Sequence, residues 1–360
     1  MPLLGWDYVE LWVGNAKQAA FFYEHALGFT RTAYAGPETG VRDRASYVLE
    51  QGDIRFVVTS PLREAHDITR HQAKHGDGVR DIALTVPDAT EAYREAVSRG
   101  ARSVLEPRRD EDEFGAVERS AIATYGDTIH TFVNRGDYGG PFLPGYVSVS
   151  DNGHADPGVG LANIDHVVGN VELGKMDFWV EFYERVFGMT NIIHFGDEDI
   201  QTEYSALMSK VMADGSGKVK FPINEPAEGK RKSQIQEYLD FYGSPGAQHI
   251  ALASTDIVGT VQNLKERGFV FLDTPDSYYD EAPGRVGEIA EDYAVLQEHK
   301  ILVDRDEDGY LLQIFTKTAQ DRPTVFFEVI ERHGATTFGE GNFKALFEAI
   351  EREQALRGNL

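Results

Sequence analysis

Three short runs in the second half of the chain each set one metal-ligating side chain among apolar, strand-forming neighbours. They are Ile164-Asp165-His166, Gln248-His249-Ile250 and Phe326-Phe327-Glu328-Val329-Ile330. Two imidazoles and one carboxylate on one face of a metal leave positions open for substrate and oxygen, a donor set that suits non-haem Fe(II). A histidine within a strand is commonly a satisfied structural group, so His166 and His249 carry little singly. Glu328 is harder to explain that way. Among Phe326, Phe327, Val329 and Ile330, an unpaired carboxylate would be costly or forced to protonate. A cation removes that cost, and an arginine is the other partner that would serve. His194, His299 and His333 have the right chemistry but lie in charged or turn-like surroundings and are set aside.

Composition narrows the rest. The 360 residues, 41% hydrophobic, have room for two domains and a sizeable core. With 35 Lys and Arg against 59 Asp and Glu, the net charge of -24 disfavours nucleic acid and anionic membrane as partners. The chain has no cysteine, which excludes disulfides, thiolate zinc sites, iron-sulfur clusters and cysteine nucleophiles. Metal ligands must then be His, Asp or Glu. No stretch approaches the ~18 apolar residues of a membrane span, and Met1-Pro-Leu-Leu-Gly-Trp6 lacks a signal-peptide pattern, so a cytoplasmic protein is expected.

The elements that must position the triad come in two copies. Residues 6–13 alternate as a strand, and Ala16 to Leu27 follow as an amphipathic helix stopped by Gly28; Ile164 to Val168, Met176 to Phe187 and Gly188 repeat that order. Phe22-Tyr23-Glu24 matches Phe182-Tyr183-Glu184 at an offset of 160, and Asp81 through Gly100 matches His249 through Gly268 at an offset of 168. The chain reads as a tandem duplication. Each copy holds two strand-helix units followed by strands, which predicts an α+β fold of paired βαβββ modules. A metal-free domain over residues 1–150 and a catalytic domain over 160–360 are expected, joined by the turn-rich segments Gly139 to Gly145 and Asp151 to Gly158, which show little core-forming pattern. In the first copy Tyr8, Asp81 and approximately Thr131 stand where the second has His166, His249 and Glu328. Only the second keeps metal chemistry. Beyond the duplicated part, Phe343, Leu346, Phe347 and Ile350 mark one face of a C-terminal helix, which serves either as core packing or as a lid hinged at Gly339 and Gly341.

Further motifs extend the pattern: Pro222-Ile-Asn224-Glu-Pro226, Ser233-Gln234-Ile-Gln-Glu237, Leu311-Leu-Gln313-Ile-Phe315 and Phe338-Gly-Glu-Gly-Asn342-Phe343. With the triad segments, they resemble the 4-hydroxyphenylpyruvate dioxygenase family of the vicinal-oxygen-chelate superfamily, whose fold is glyoxalase-like open barrels. The resemblance covers nearly all of residues 160–356 and rests on length and repeat architecture over 1–150. It implies an Fe(II) enzyme that turns 4-hydroxyphenylpyruvate and O2 into homogentisate and CO2 in tyrosine and phenylalanine catabolism. It further implies that His166, His249 and Glu328 ligate iron, and that Ser209, Asn224, Gln234, Gln248 and Gln313 are polar pocket residues. Pro222, Phe315, Phe326, Phe338, Asn342, Phe343 and Leu346 would border the substrate. Regular strand alternation sends Gln248 to the face opposite His249. A homodimer or homotetramer is expected.

Three rivals stay open. Hydroxymandelate synthases share fold, ligands and substrate but hydroxylate the benzylic carbon, and carry Ile and Tyr where this chain has Phe343 and Phe347. An extradiol ring-cleaving dioxygenase would share the triad, yet lacks the Pro222 to Pro226 and Gln234 motifs and the C-terminal helix. A metal-free small-molecule-binding module of the same fold would have no need of an intact triad in one copy.

Overall fold

The computed structural model describes residues 1–149, 157–196, 206–227 and 229–359, so Asp151 to Asp156 of the expected linker lie outside the described residues. The first half holds β1 (Gly5–Trp12), α1 (Ala16–Leu27), β2 (Thr30–Ala35), β3 (Arg44–Gln51) and β4 (Ile54–Pro61). After α2 (Asp67–His75), the unit repeats as β5 (Gly78–Thr85), α3 (Ala89–Ser98), β6 (Ser103–Asp112), β7 (Gly115–Ala123) and β8 (Ile129–Asn134), with a short β9 (Val147–Ser148) beyond it. The second half runs β10 (Leu161–Asn170), α4 (Met176–Phe187), β11 (Thr190–Phe195), β12 (Ala206–Ala213), β13 (Lys220–Ala227) and α5 (Gln234–Tyr242). It continues through β14 (Gly246–Ser254), α6 (Ile257–Glu266), α7 (Asp276–Val286), α8 (Tyr293–His299), β15 (Leu302–Arg305), β16 (Tyr310–Phe315), β17 (Phe326–His333) and α9 (Glu340–Leu356). Each half curls into one half-barrel sheet, ordered β6-β7-β8-β5-β1-β4-β3-β2-β9 and β11-β12-β13-β10-β14-β17-β16-β15.

The helix boundaries follow from local chemistry repeated in both halves. α1 and α4 stop at Gly28 (φ 71°) and Gly188 (φ 74°), left-handed positions whose N–H groups close back onto the last helical carbonyls. α3 and α6 start on Asp88 and Asp256, whose carboxylates accept from Glu91 N–H and Gly259 N–H. The sheets divide their residues by strand alternation. In the second sheet Val167, Ile250, Leu252, Leu312, Ile314, Phe327 and Val329 enter the main core, which also takes Val9, Tyr23 and Phe56 from the first. His166, His249, Gln313, Phe315, Phe326 and Glu328 alternate with them, and so share the other, inner face.

The linker differs from its sequence reading. Phe142 and Leu143 are buried, 2% and 5% exposed, in a cluster with Tyr8 and Val57, while β9 pairs with β2. Turn-forming residues around them mask their apolar character, because Tyr8 and Val57, which they cover, lie far back in the sequence. Among the described residues no helix is long and apolar enough to cross a membrane.

Candidate metal centre

β10, β14 and β17 lie side by side, β14 parallel to β17 with Ala251 opposite Glu328 and antiparallel to β10 with Ala251 opposite His166. That register brings the three expected ligands together. Glu328 Oε2 lies 3.1 Å from His166 Nε2 and 3.2 Å from His249 Nε2, and all three side chains are buried. Burial alone would raise the Glu328 carboxyl, but the charge and hydrogen bonds of His166 and His249 outweigh it and hold it down at about 2. Burial lowers His249; at His166 the same burial is outweighed by Glu328 and Asp165, which raise it. A carboxylate and two imidazole nitrogens converging in a dry site fit a first-row divalent cation. No arginine hydrogen-bonds Glu328 among the described residues, so that alternative partner is absent.

Two β-bulges orient the imidazoles. The β10–β14 register passes from Ile164↔Leu252 to His166↔Ala251 and from Val168↔His249 to Gly169↔Ala247, leaving Asp165 and Gln248 as the extra residues. A bulged residue is re-aimed relative to regular alternation. In both cases the result is a side-chain oxygen beside the next residue's ring: Asp165 Oδ1 is 2.7 Å from His166 Nδ1, and Gln248 Oε1 is 3.0 Å from His249 Nδ1. Accepting a hydrogen bond from Nδ1–H fixes the tautomer that presents a bare Nε2 to a metal. Gln248 therefore does not turn away from His249 as regular alternation predicts.

The remaining ligand is tied to the C-terminal helix. Gln313 Nε2 donates to Glu328 Oε1 at 2.7 Å, which leaves Oε2 facing the imidazoles. Asn342 of α9 donates to Gln313 Oε1 at 2.8 Å and accepts from the Tyr278 hydroxyl at 2.6 Å. Phe326 stacks on His249 at 4.6 Å, Phe315 meets the same ring edge-on at 6.0 Å, and Phe338 meets His166 edge-on at 4.7 Å. Leu346 packs with Phe315 and Phe326, and Phe343 with Phe195. Phe347 is fully buried against Ile235, Tyr238 and Tyr242 of α5. The two hinge glycines have packing reasons of their own: a Cβ on Gly339 would meet Asp304 at 2.5 Å, and one on Gly341 would sit 2.3 Å from Arg285 Nη1.

Ser209 and Asn224 are register partners on β12 and β13, with Pro222 two residues from Asn224 on the same face. Ser209 Oγ, Asn224 Oδ1 and Gln234 Oε1 are buried with no partner among the described residues, an arrangement proteins seldom tolerate unless something else binds there. The sequence reading missed Asn170, fully buried opposite Asn224 with both amide atoms unpaired among the described residues. Its place four residues after His166 on one strand was the available signal. A small cavity of about 80 Å³ touches Gln234, Gln248 and Phe326. A larger cavity, about 740 Å³, runs elsewhere, between Trp6, Arg55 and Arg135 of the first half and Asp165 and Lys220 of the second.

Family models agree with this architecture. One described as hydroxyphenylpyruvate dioxygenase, N-terminal, matches residues 1–143, and one for the glyoxalase, bleomycin resistance protein and dioxygenase superfamily matches 163–314. A 4-hydroxyphenylpyruvate dioxygenase of Aspergillus fumigatus is 49% identical, covering 99% of this chain and 94% of its own length. The chain belongs to the 4-hydroxyphenylpyruvate dioxygenase family. The Dictyostelium discoideum member is 48% identical over 99% of this chain and 100% of its own. A solved structure of a 4-hydroxymandelate synthase mutant from Streptomyces coelicolor superposes with a TM-score of 0.88 at 35% identity, covering 98% of this chain and 100% of that one. Like its relatives in that family, this chain is an α+β, glyoxalase-like enzyme.

The first half shows what the same strand positions hold when Tyr8, Asp81 and Thr131 stand in place of the triad. Its β1–β5 ladder carries the same two bulges, at Asp7 and Arg80, and Asp81 faces Ile129 across β5–β8 as His249 faces Phe326. The three counterpart residues meet through hydrogen bonds: Tyr8 Oη and Thr131 Oγ1 donate to Asp81 Oδ2 at 2.9 and 2.5 Å, and Thr131 N–H donates to Oδ1 at 3.0 Å. Phe142 packs edge-on over Tyr8 at 5.3 Å. Burial, with Glu10 nearby, outweighs those donors and raises Asp81 to about 7. The folded state then holds a proton that the unfolded chain has lost between about pH 4 and 7, so stability falls as pH rises through that window. Asp81→Asn is expected to remove this contribution, on the order of a few kcal/mol. Thermal melts of both proteins at pH 5 and 8 check it: the wild type should lose more stability between the two than the variant.

Proposed function

We propose that this chain converts 4-hydroxyphenylpyruvate and O2 to homogentisate and CO2, with Fe(II) held by His166, His249 and Glu328. The observation that carries the reading is the buried convergence of Nε2, Nε2 and Oε2, while β12, β13 and α5 carry buried polar atoms with no partner among the described residues. His166, His249 and Glu328 would hold Fe(II), which would supply Lewis acidity toward the keto acid and redox chemistry toward O2, with the keto acid's own decarboxylation as the source of electrons. The protein's part is geometry and dryness. Asp165 and Gln248 hold the two Nδ1 protons away from the ligand side, and Gln313 holds the second Glu328 oxygen. Ser209, Asn224, Gln234 and Asn170 hydrogen-bond the substrate's phenol and side-chain oxygens without adding charge near the metal. Phe315, Phe326, Phe338, Phe343 and Leu346 seat the ring and exclude water, with Pro222 and Asn342 at the border. On this reading the chain works in tyrosine and phenylalanine breakdown in the cytoplasm, as a homodimer or homotetramer.

Likeness to a hydroxymandelate synthase makes benzylic hydroxylation the specific competitor. Product analysis after anaerobic Fe(II) loading and addition of 4-hydroxyphenylpyruvate and O2 separates the two. Homogentisate is expected. Hydroxymandelate would transfer the chain to the benzylic reaction, and no oxygen uptake would overturn the enzyme assignment.

A further inference from the structure

A second cluster of two histidines and a carboxylate lies far from the first in sequence. His71 and His75 stand one helical turn apart on α2, so both project from one face, and Asp127 reaches them from the turn between β7 and β8. Their ligand atoms all lie within 4.8 Å of one another. His71 is 4% exposed, yet neither of its ring nitrogens has a hydrogen-bond partner among the described residues. Burial, then the neighbouring His75, pushes His71 down to about 3, so the ring is neutral and one nitrogen keeps a free lone pair.

His75 is more constrained. Its Nδ1 lies 2.5 Å from the Tyr242 carbonyl and its Nε2 2.8 Å from Asp127 Oδ2. Both oxygens only accept, so Nδ1 carries a proton and the Nε2 contact needs either a second proton or a cation. A carbonyl behind one nitrogen is the usual support of a metal-ligating imidazole. The 2.8 Å separation is a few tenths shorter than the 3.1 and 3.2 Å of the triad, and the Asp127 side chain, 46% exposed, has room to open.

We propose that His71, His75 and Asp127 form a second metal site, for a borderline transition cation of the Zn2+ class. Lys74 lies 3.9 Å from the Asp127 carboxylate and Arg80 donates to the Asp127 carbonyl, which disfavours hard, hydrated cations such as Mg2+ and Ca2+. Two imidazoles select instead for Zn2+, Co2+ or Ni2+. Because His75 also stacks on Tyr242 of α5 at 4.2 Å, the ion would brace the seam between the two halves, at the helix that begins with Gln234.

The test is a Co2+ titration of chelator-treated protein, followed by visible absorption and calorimetry. Wild type is expected to bind two equivalents and Asp127→Asn one. A His249→Ala/Glu328→Ala variant is expected to keep one, and to lose at least about tenfold in its affinity on adding His71→Phe. Asp127 lies on an exposed turn and asparagine keeps its size and an oxygen toward His75, so the variant is expected to fold, and Zn2+ should raise the thermal midpoint of the triad-less protein only when Asp127 is present. One equivalent in wild type, or a stoichiometry unchanged by Asp127→Asn, would overturn the site and leave a His75–Asp127 ion pair.

Discussion

Glu328→Ala should reduce turnover of 4-hydroxyphenylpyruvate roughly a thousandfold or more, because a metal's charge stabilisation is worth several kcal/mol and each 1.4 kcal/mol is about tenfold. The substitution removes the one carboxylate of the triad and leaves two imidazoles facing each other across the site, with the Gln313 amide deprived of its acceptor. Glu328→Gln separates ligation from packing. It keeps the volume and an oxygen for Gln313 but not the charge, so it should melt close to wild type while losing activity to a similar degree. Iron content after Fe(II) loading and gel filtration should fall in both. Full retention of iron with a rate within tenfold of wild type would remove Glu328 from the centre.

The triad was readable from the sequence because strand alternation is a local property. Val167, Ile250, Phe327 and Val329 announce one buried face, and His166, His249 and Glu328 fall on the other. The duplication was equally visible, since Gly28 and Gly188, or Asp88 and Asp256, are local stop and start signals recurring at fixed offsets. Register is different. Whether Asp165 and Gln248 are bulged depends on two strands about eighty residues apart, and alternation alone misdirected Gln248. The same limit hid Phe142, whose partner is Tyr8, and the link from Asn342 through Gln313 to Glu328, which only the packing of α9 creates.

Arg332 carries the second large effect. Its Nε and Nη2 grip Asp165 Oδ2 and Oδ1 at 2.8 and 2.9 Å, its Nη1 donates to the carbonyls of Ala335 and Thr337, and its guanidinium lies 5.2 Å from the centre of the Phe338 ring. One side chain thus holds both the carboxylate behind His166 and the segment leading into α9. The first half repeats the device, with Arg135 gripping Asp7, which marks it as part of the fold as well as the site. Arg332→Met would leave Asp165 buried with Lys220, 3.7 Å away, as its one lysine or arginine partner among the described residues. Stripping one partner from a buried pair costs about 3–5 kcal/mol. Losing an oriented support of a ligating histidine costs about 10–100-fold in metal affinity. Adding Asp165→Asn removes the stranded charge while keeping an oxygen toward His166 Nδ1, so the double variant should recover most of the thermal stability but not the affinity. Arg332→Lys, lacking the two-pronged grip, should fall between. Fe(II) titrations beside melting curves resolve these effects, and wild-type affinity in Arg332→Met would mean that Asp165 orients His166 unaided.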